Sequence, residues 1–304
     1  MIKKLSQQFA LTGQLQFIEQ ASGFPMIQIN NKFATATISL YGGQILEFQP
    51  HSQSEPVLWL SEQAIYHQGK AIRGGIPICW PWFGDYIGQE KQPAHGFARL
   101  SLWDVCATKT LSNGSTEVIL QLPCLQYCQN YQASHVTFKL DLRLKIIVGE
   151  VLKIELLTIN KGDHTISLSN ALHAYFNVSD VHHIQISGLD DTSYIDKLDN
   201  ASIGLQQGNV RLTTEMDRVY QNTKKALVLH DRDFKRRIII AKAQSFSTIV
   251  WNPWQESAKK MVDMANNGWQ SMICIEPANV HDNTIMLGVG QKQTLTMLVS
   301  IEQD

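Results

Sequence analysis

The strongest constraint in this sequence is a two-residue period. At Phe138, Leu140, Leu142 and Leu144 every second side chain is apolar and most of those between are polar, which puts the apolar set on one face of an extended chain. Residues 147–150 (Ile-Val-Gly-Glu) supply a turn, and Leu152, Ile154 and Leu156 resume the alternation. Two half-buried strands joined by a short turn predict an antiparallel hairpin. Comparable runs recur at residues 33–40, 44–48, 116–122, 165–176, 183–186, 237–241, 247–251, 271–275 and 294–301, separated by Gly, Pro, Asn or Asp. Only residues 256–264 carry a helical pattern. A parallel sheet would need helices between its strands, so the chain is expected to be all-β, a large antiparallel β-sandwich or barrel. No repeat, low-complexity tract or linker divides it, and residues 1–304 are expected to form a single domain.

Composition removes several partners. Lys and Arg number 26 against 27 Asp and Glu, a formal net charge of −1, so no overall positive field gathers nucleic acid or an anionic membrane surface. Any anion must be bound locally. Met1-Ile2-Lys3-Lys4 has the look of an export signal, but Ser6, Gln7 and Gln8 interrupt the apolar stretch such a signal needs. No other run is long and apolar enough to span a bilayer. Cys79, Cys106, Cys124, Cys128 and Cys274 are an odd set without framework spacing, which predicts reduced thiols and a cytoplasmic location. Nothing in the pattern fixes an oligomeric state.

Function is expected where the alternation breaks. In Arg73-Gly-Gly-Ile-Pro-Ile-Cys-Trp-Pro-Trp-Phe-Gly84 the glycines at 74 and 75 permit close backbone approach, and Pro77 and Pro81 stiffen the loop. Trp80, Trp82 and Phe83 offer flat faces that either stack on sugar rings or plug one end of the barrel. In Pro93-Ala-His95-Gly-Phe-Ala-Arg99 an imidazole and a guanidinium stand four residues apart. Arg99 and Arg73 either converge on one anion, for which the guanidinium fork suits phosphate oxygens, or form ordinary surface ion pairs. His95 is either a structural histidine or part of a site.

Along residues 167–176, Leu168, Leu172 and Phe176 share one strand phase, whereas Ser167, Ser169, Ala171, His173 and Tyr175 share the other. His173 thus projects from a face of small and polar groups, as a proton donor in a cleft or as a solvent-facing histidine. In Met272-Ile-Cys-Ile-Glu276-Pro277 an apolar strand delivers a carboxylate just before a proline, which predicts Glu276 at a strand end. Partial burial there would raise its pKa towards that of a useful base. Asp217, in Glu215-Met-Asp-Arg-Val-Tyr220, can hold a histidine or accept a sugar hydroxyl, although an Asp-Arg pair is more often a surface ion pair. No metal site is expected: Cys124 and Cys128 lack a second pair, and His182-His183, on a predicted strand, point to opposite faces.

Arg73-Gly-Gly-Ile-Pro, His95-Gly-Phe-Ala-Arg99, the His173 strand, Asp217-Arg-Val-Tyr, Trp251-Asn-Pro-Trp and Glu276-Pro, in that order, resemble the aldose 1-epimerase superfamily and, more narrowly, its hexose-6-phosphate branch. The resemblance runs from about Phe33 to Ile301. The stretch before Phe33 and residues 111–133 contribute nothing to it. It implies a galactose-mutarotase-like supersandwich with its site in a concave sheet face, no cofactor, and a small sugar phosphate as substrate whose α and β anomers are interconverted. Position by position, it implies Glu276 as general base, His173 as general acid, His95 and Asp217 as sugar-binding residues, and Arg73 and Arg99 at the phosphate. Acid and base are expected on opposite sides of the sugar. Two other readings use much of the same set: a mutarotase for unphosphorylated aldoses, which would not need the arginines, and a non-catalytic carbohydrate-binding sandwich, which would not need His173 opposite Glu276.

Overall fold

The alternation is matched by burial. In strands Leu140–Val148 and Leu152–Asn160 every second residue is buried, and the two pair antiparallel through a turn at residues 149–151. The computed structural model describes residues 1–20, 23–86, 92–123 and 139–303. Phe138 of the expected strand, and Cys124 and Cys128, lie outside them.

The hairpin belongs to an eight-stranded sheet that runs, edge to edge, Ile184–Ser187, Leu227–Asp231, Arg236–Ala243, Lys292–Gln303, Leu152–Asn160, Leu140–Val148, Thr116–Leu122 and Asp104–Thr110. A second eight-stranded sheet is ordered Ser202–Leu205, Ser193–Asp196, Met216–Tyr220, Ser247–Asn252, Met272–Asn279, Asn170–Leu172 and Ile78–Cys79. Its remaining strand, Tyr175–Asn177, also lies beside Met272–Asn279. A four-stranded sheet from Leu15–Glu19 to Gln44–Pro50 adds a further layer.

One continuous set of buried apolar side chains draws on all three sheets, including Ile27 and Ile38, Leu144 and Ile154, and Val250 and Ile275. Polar contacts tie the two large sheets together: Trp80 Nε1 donates to Thr158 Oγ1 and Asn170 Nδ2 to Gln293 Oε1, each at 3.0 Å. The architecture is an antiparallel β-sandwich, as expected.

Four local expectations need correction. Residues 256–258 end a five-residue helix, Trp254–Ala258, and the chain then tightens into i→i+3 turns in which Met261 N–H donates to Ala258 O and Met264 N–H to Met261 O. These turns bury Met264 and bring Asp263 to Arg73. A helix unread in the sequence, Ile2–Phe9, lays Ile2, Leu5 and Phe9 against the core. Residues 165–176 form three short strands, Ile166–Leu168, Asn170–Leu172 and Tyr175–Asn177. The first pairs with Ile285–Leu287, outside the sheet that the others join. His182 and His183 occupy the turn before Ile184–Ser187, where they contact Asp180 and Asp233.

Candidate active site

All eight residues of Met272–Asn279 are buried. One face packs into the sandwich, and the other carries Cys274, Glu276 and Ala278. Strand register extends that second face across the sheet in rows. Asp217, Trp251, Cys274 and Tyr175 form one row, Val219, Ile249 and Glu276 the next, and Ala278, Ala171 and Cys79 a third. Tyr175 pairs with Cys274 and Ala171 with Ala278, so the same register places His173 directly across from Glu276.

His173 nevertheless sits where its strand breaks. Ala174 N–H donates to Leu172 O at 2.8 Å in a three-residue turn, while His173 N–H donates to Pro77 O at 3.0 Å. Ile275 N–H reaches Ala174 O at 3.1 Å. Because N–H groups alternate sides along a strand, Pro277 turns its ring nitrogen to that same broken edge and removes no bond from the intact ladder with Ser247–Asn252. Glu276 is therefore a mid-strand residue, and Pro277 does not end the strand as the sequence suggested.

His173 Nε2 lies 3.3 Å from Glu276 Oε1, with the two residues 8% and 1% exposed. They share one wall, a correction to the expectation that they stand on opposite sides. The imidazole stacks on Tyr175 at 4.9 Å, and Trp251 presents an edge to it at 6.1 Å. Burial and the charge of Asp217 push the Glu276 carboxyl well above the usual carboxylate range, against the pull of Lys197 and Arg99. Burial holds the His173 imidazole well below its ordinary value, and His95, Arg99 and Arg73 act in the same direction. Among the described residues, Glu276 Oε2 and His173 Nδ1 have no hydrogen-bond partner. Buried polar atoms left so are costly unless a ligand takes them up.

Two loops roof this wall. In the first, Gly75 has φ +60 and its backbone runs so close to Ile45 O that a side chain would collide with it. This holds Arg73, whose Nε is 3.1 Å from Asp263 Oδ2 and whose Nη1 donates to Tyr175 Oη at 3.0 Å. In the second, His95 and Gly96 both have positive φ, and a side chain at 96 would strike the Trp80 carbonyl. His95 Nδ1 accepts from Gly84 N–H at 3.4 Å, which leaves Nε2 to carry the proton. Burial, with Arg99, Lys197 and Arg73, lowers its pKa to about 3, so at neutral pH it is an uncharged donor. Arg99 Nη2 donates to Ala94 O at 3.0 Å, and its buried Nε has no partner among the described residues.

Arg73, His95, Arg99, His173, Asp217 and Glu276 all line one cavity of about 320 Å³. Phe83 lines it too, whereas Trp80 is a fully buried plug beneath it. Asp217 is held by Lys197, Nζ to Oδ2 at 3.0 Å, while its neighbour Arg218 turns to the other face and pairs with Asp196. Lys197, on the turn after Ser193–Asp196, and Tyr175, the partner of Arg73, are cavity residues that carry no role in the reading of the sequence. The arrangement offers two titratable groups in contact, an uncharged donor, a carboxylate and three cations, which suits proton exchange on an anionic polyhydroxy ligand.

The sequence profile of the aldose 1-epimerase family matches residues 25–300. A Salmonella typhimurium protein named "Putative glucose-6-phosphate 1-epimerase" is 33% identical over 258 residues, 84% of each chain. An Escherichia coli protein of the same name is 32% identical over 254 residues, 83% of this chain and 82% of its own. Among solved structures, a "putative mutarotase" from Salmonella typhimurium superposes with a TM-score of 0.88 at 28% identity, covering 100% of both chains.

Proposed function

The chain belongs to the aldose 1-epimerase family, and from that premise we propose that it interconverts the α and β anomers of a hexose 6-phosphate, with Glu276 and His173 as its proton carriers. The observation that carries this reading is the 3.3 Å contact between His173 and Glu276 in a cavity that also holds Arg73 and Arg99.

Anomer exchange opens a hemiacetal. Glu276 removes the proton of the C1 hydroxyl, His173 in its protonated form gives one to the ring oxygen, and the C1–O5 bond breaks to leave an aldehyde. Rotation about C1–C2 presents the other carbonyl face, and the same transfers in reverse close the ring as the other anomer. Both oxygens are attached to C1, so neighbouring proton carriers on one wall can reach them together. The pair holds one proton throughout. Ring opening starts from carboxylate and imidazolium, the minor arrangement of that proton because burial favours carboxyl and imidazole, and it ends in the favoured one.

Arg73 and Arg99 are assigned to the phosphate, His95 and Asp217 to sugar hydroxyls. Burial depresses the His173 pKa most, and the guanidinium charges add to it; a phosphate dianion seated on the guanidiniums offsets their part and so eases formation of the imidazolium acid. The same cations favour this reading over a mutarotase for unphosphorylated sugars. No described helix is long and apolar enough to cross a membrane. The free thiols Cys79, Cys106 and Cys274 support a cytoplasmic site of action.

The test is magnetisation-transfer NMR between the two C1 protons of glucose, galactose and mannose 6-phosphates, with and without protein. Exchange accelerated by catalytic amounts of protein, for at least one of them, is expected. Binding without faster exchange would return the chain to the carbohydrate-binding reading.

A further inference from the structure

Cys274 takes no part in the proposed reaction, yet it stands in the active-site row two residues before Glu276. A ring nitrogen of His173, the Cys274 thiol and a carboxylate oxygen of Glu276 lie within 4.8 Å of one another, and all three residues are buried. Glu276 Oε2 has no hydrogen-bond partner among the described residues. Zinc bound tetrahedrally, with nitrogen and oxygen ligands at about 2.0 Å, sets its ligands about 3.3 Å apart. The His173–Glu276 separation of 3.3 Å already matches that edge.

We propose that His173, Cys274 and Glu276 form a three-ligand site for a zinc ion at the floor of the cavity, with the fourth position facing the substrate space, and that zinc is thereby an inhibitor rather than a resident cofactor. Thiol and imidazole ligands select zinc over magnesium or calcium, which prefer oxygen. The ion displaces the thiol proton, and thiolate and carboxylate together cancel its charge, so burial does not oppose it. Of the three nearby cations, Arg73 is tied to Asp263 and Lys197 to Asp217, which weakens their repulsion, and Arg99 is the one that still opposes the ion. The site stands on the geometry of the three side chains, whereas inhibition rests on the catalytic roles proposed for His173 and Glu276.

The experiment uses chelator-treated full-length protein. Zinc chloride is titrated by calorimetry, cobalt(II) is added separately to seek a near-ultraviolet thiolate-to-cobalt band, and glucose 6-phosphate anomer exchange is followed with zinc, with magnesium and after added chelator. One zinc per chain, a cobalt–thiolate band, and exchange abolished by zinc, restored by chelator and untouched by magnesium are expected. Cys274→Ser and Cys274→Ala should keep metal-free exchange, lose the band, and need at least about tenfold more zinc for half-inhibition. Absence of the cobalt band in the wild type overturns the site, whatever the variants do. Equal zinc inhibition in wild type and both variants also overturns it. A bound zinc with exchange unimpaired upholds the site and overturns inhibition, and with it the roles given to His173 and Glu276.

Discussion

His173 and Glu276 face each other, Nε2 to Oε1 at 3.3 Å, at the break between the strands Asn170–Leu172 and Tyr175–Asn177. The turn at Leu172–Ala174 frees the imidazole from regular pairing without moving it out of register, and Pro277 gives up a donor on the same broken edge. The sheet therefore fixes the backbone positions of both residues, and stacking on Tyr175 fixes the ring plane. Positioning of this kind counts in catalysis because small displacements are expensive.

Discrimination between sugars tests the cations. Arg73→Met and Arg99→Met should each lower kcat/KM for glucose 6-phosphate about ten- to a hundredfold, the range for one charge-assisted hydrogen bond, while changing that for glucose little. Arg73→Lys should fall between, since an ammonium keeps the charge but loses the fork. Parallel losses on both sugars would show that the arginines serve the fold or the sugar ring instead.

Asp217 offers a test by pH. After burial, its charge is the main influence holding the Glu276 carboxyl up, and Lys197 opposes it. Asp217→Asn removes a negative neighbour and releases Lys197, both of which ease ionisation, so the Glu276 pKa falls. The pair then loses its shared proton at lower pH, and the alkaline limb of kcat/KM should move to lower pH. An alkaline limb that stays in place in this variant would mean that another group sets it.

Lys242 concerns stability alone. Its ammonium contacts Thr223 Oγ1, Ser247 O and Thr248 Oγ1 at 2.6 to 2.8 Å, and burial lowers its pKa from 10.5 to about 7. Between those values the unfolded chain holds a proton that the folded chain has lost, so this group makes stability rise with pH from about 7 to 10.5. Below that window the buried charge costs stability in full. Lys242→Met should flatten the rise in urea midpoint between pH 7 and 10 and increase the midpoint at pH 7. A variant with the wild-type slope would place the titration elsewhere.

Strand alternation made the sandwich and most strand positions legible, because a half-buried strand has to alternate. The six residues proposed for the site were legible only as an ordered set, since each alone reads equally well as a surface or structural group. Two failures have physical causes. The proline after Glu276 suggested a strand end, but which edge a missing N–H faces depends on a break in a distant segment, at His173. The pattern at residues 256–264 favours helix locally, but burial of Met264 and the pull of Asp263 towards Arg73 impose turns. Ile2, Leu5 and Phe9 do carry a helical spacing that could have revealed the first helix. Lys197 carries no such pattern and enters the site only through the hairpin that brings it to Asp217.

The most direct test of the central claim is the rate of glucose 6-phosphate anomer exchange, by magnetisation transfer, in wild type, Glu276→Gln and His173→Gln, with folding checked by thermal unfolding. Each substitution removes one proton carrier, and each folded variant should lose about a hundred- to ten-thousandfold in catalysed rate. A folded Glu276→Gln protein that exchanges the anomers as fast as the wild type would contradict the account.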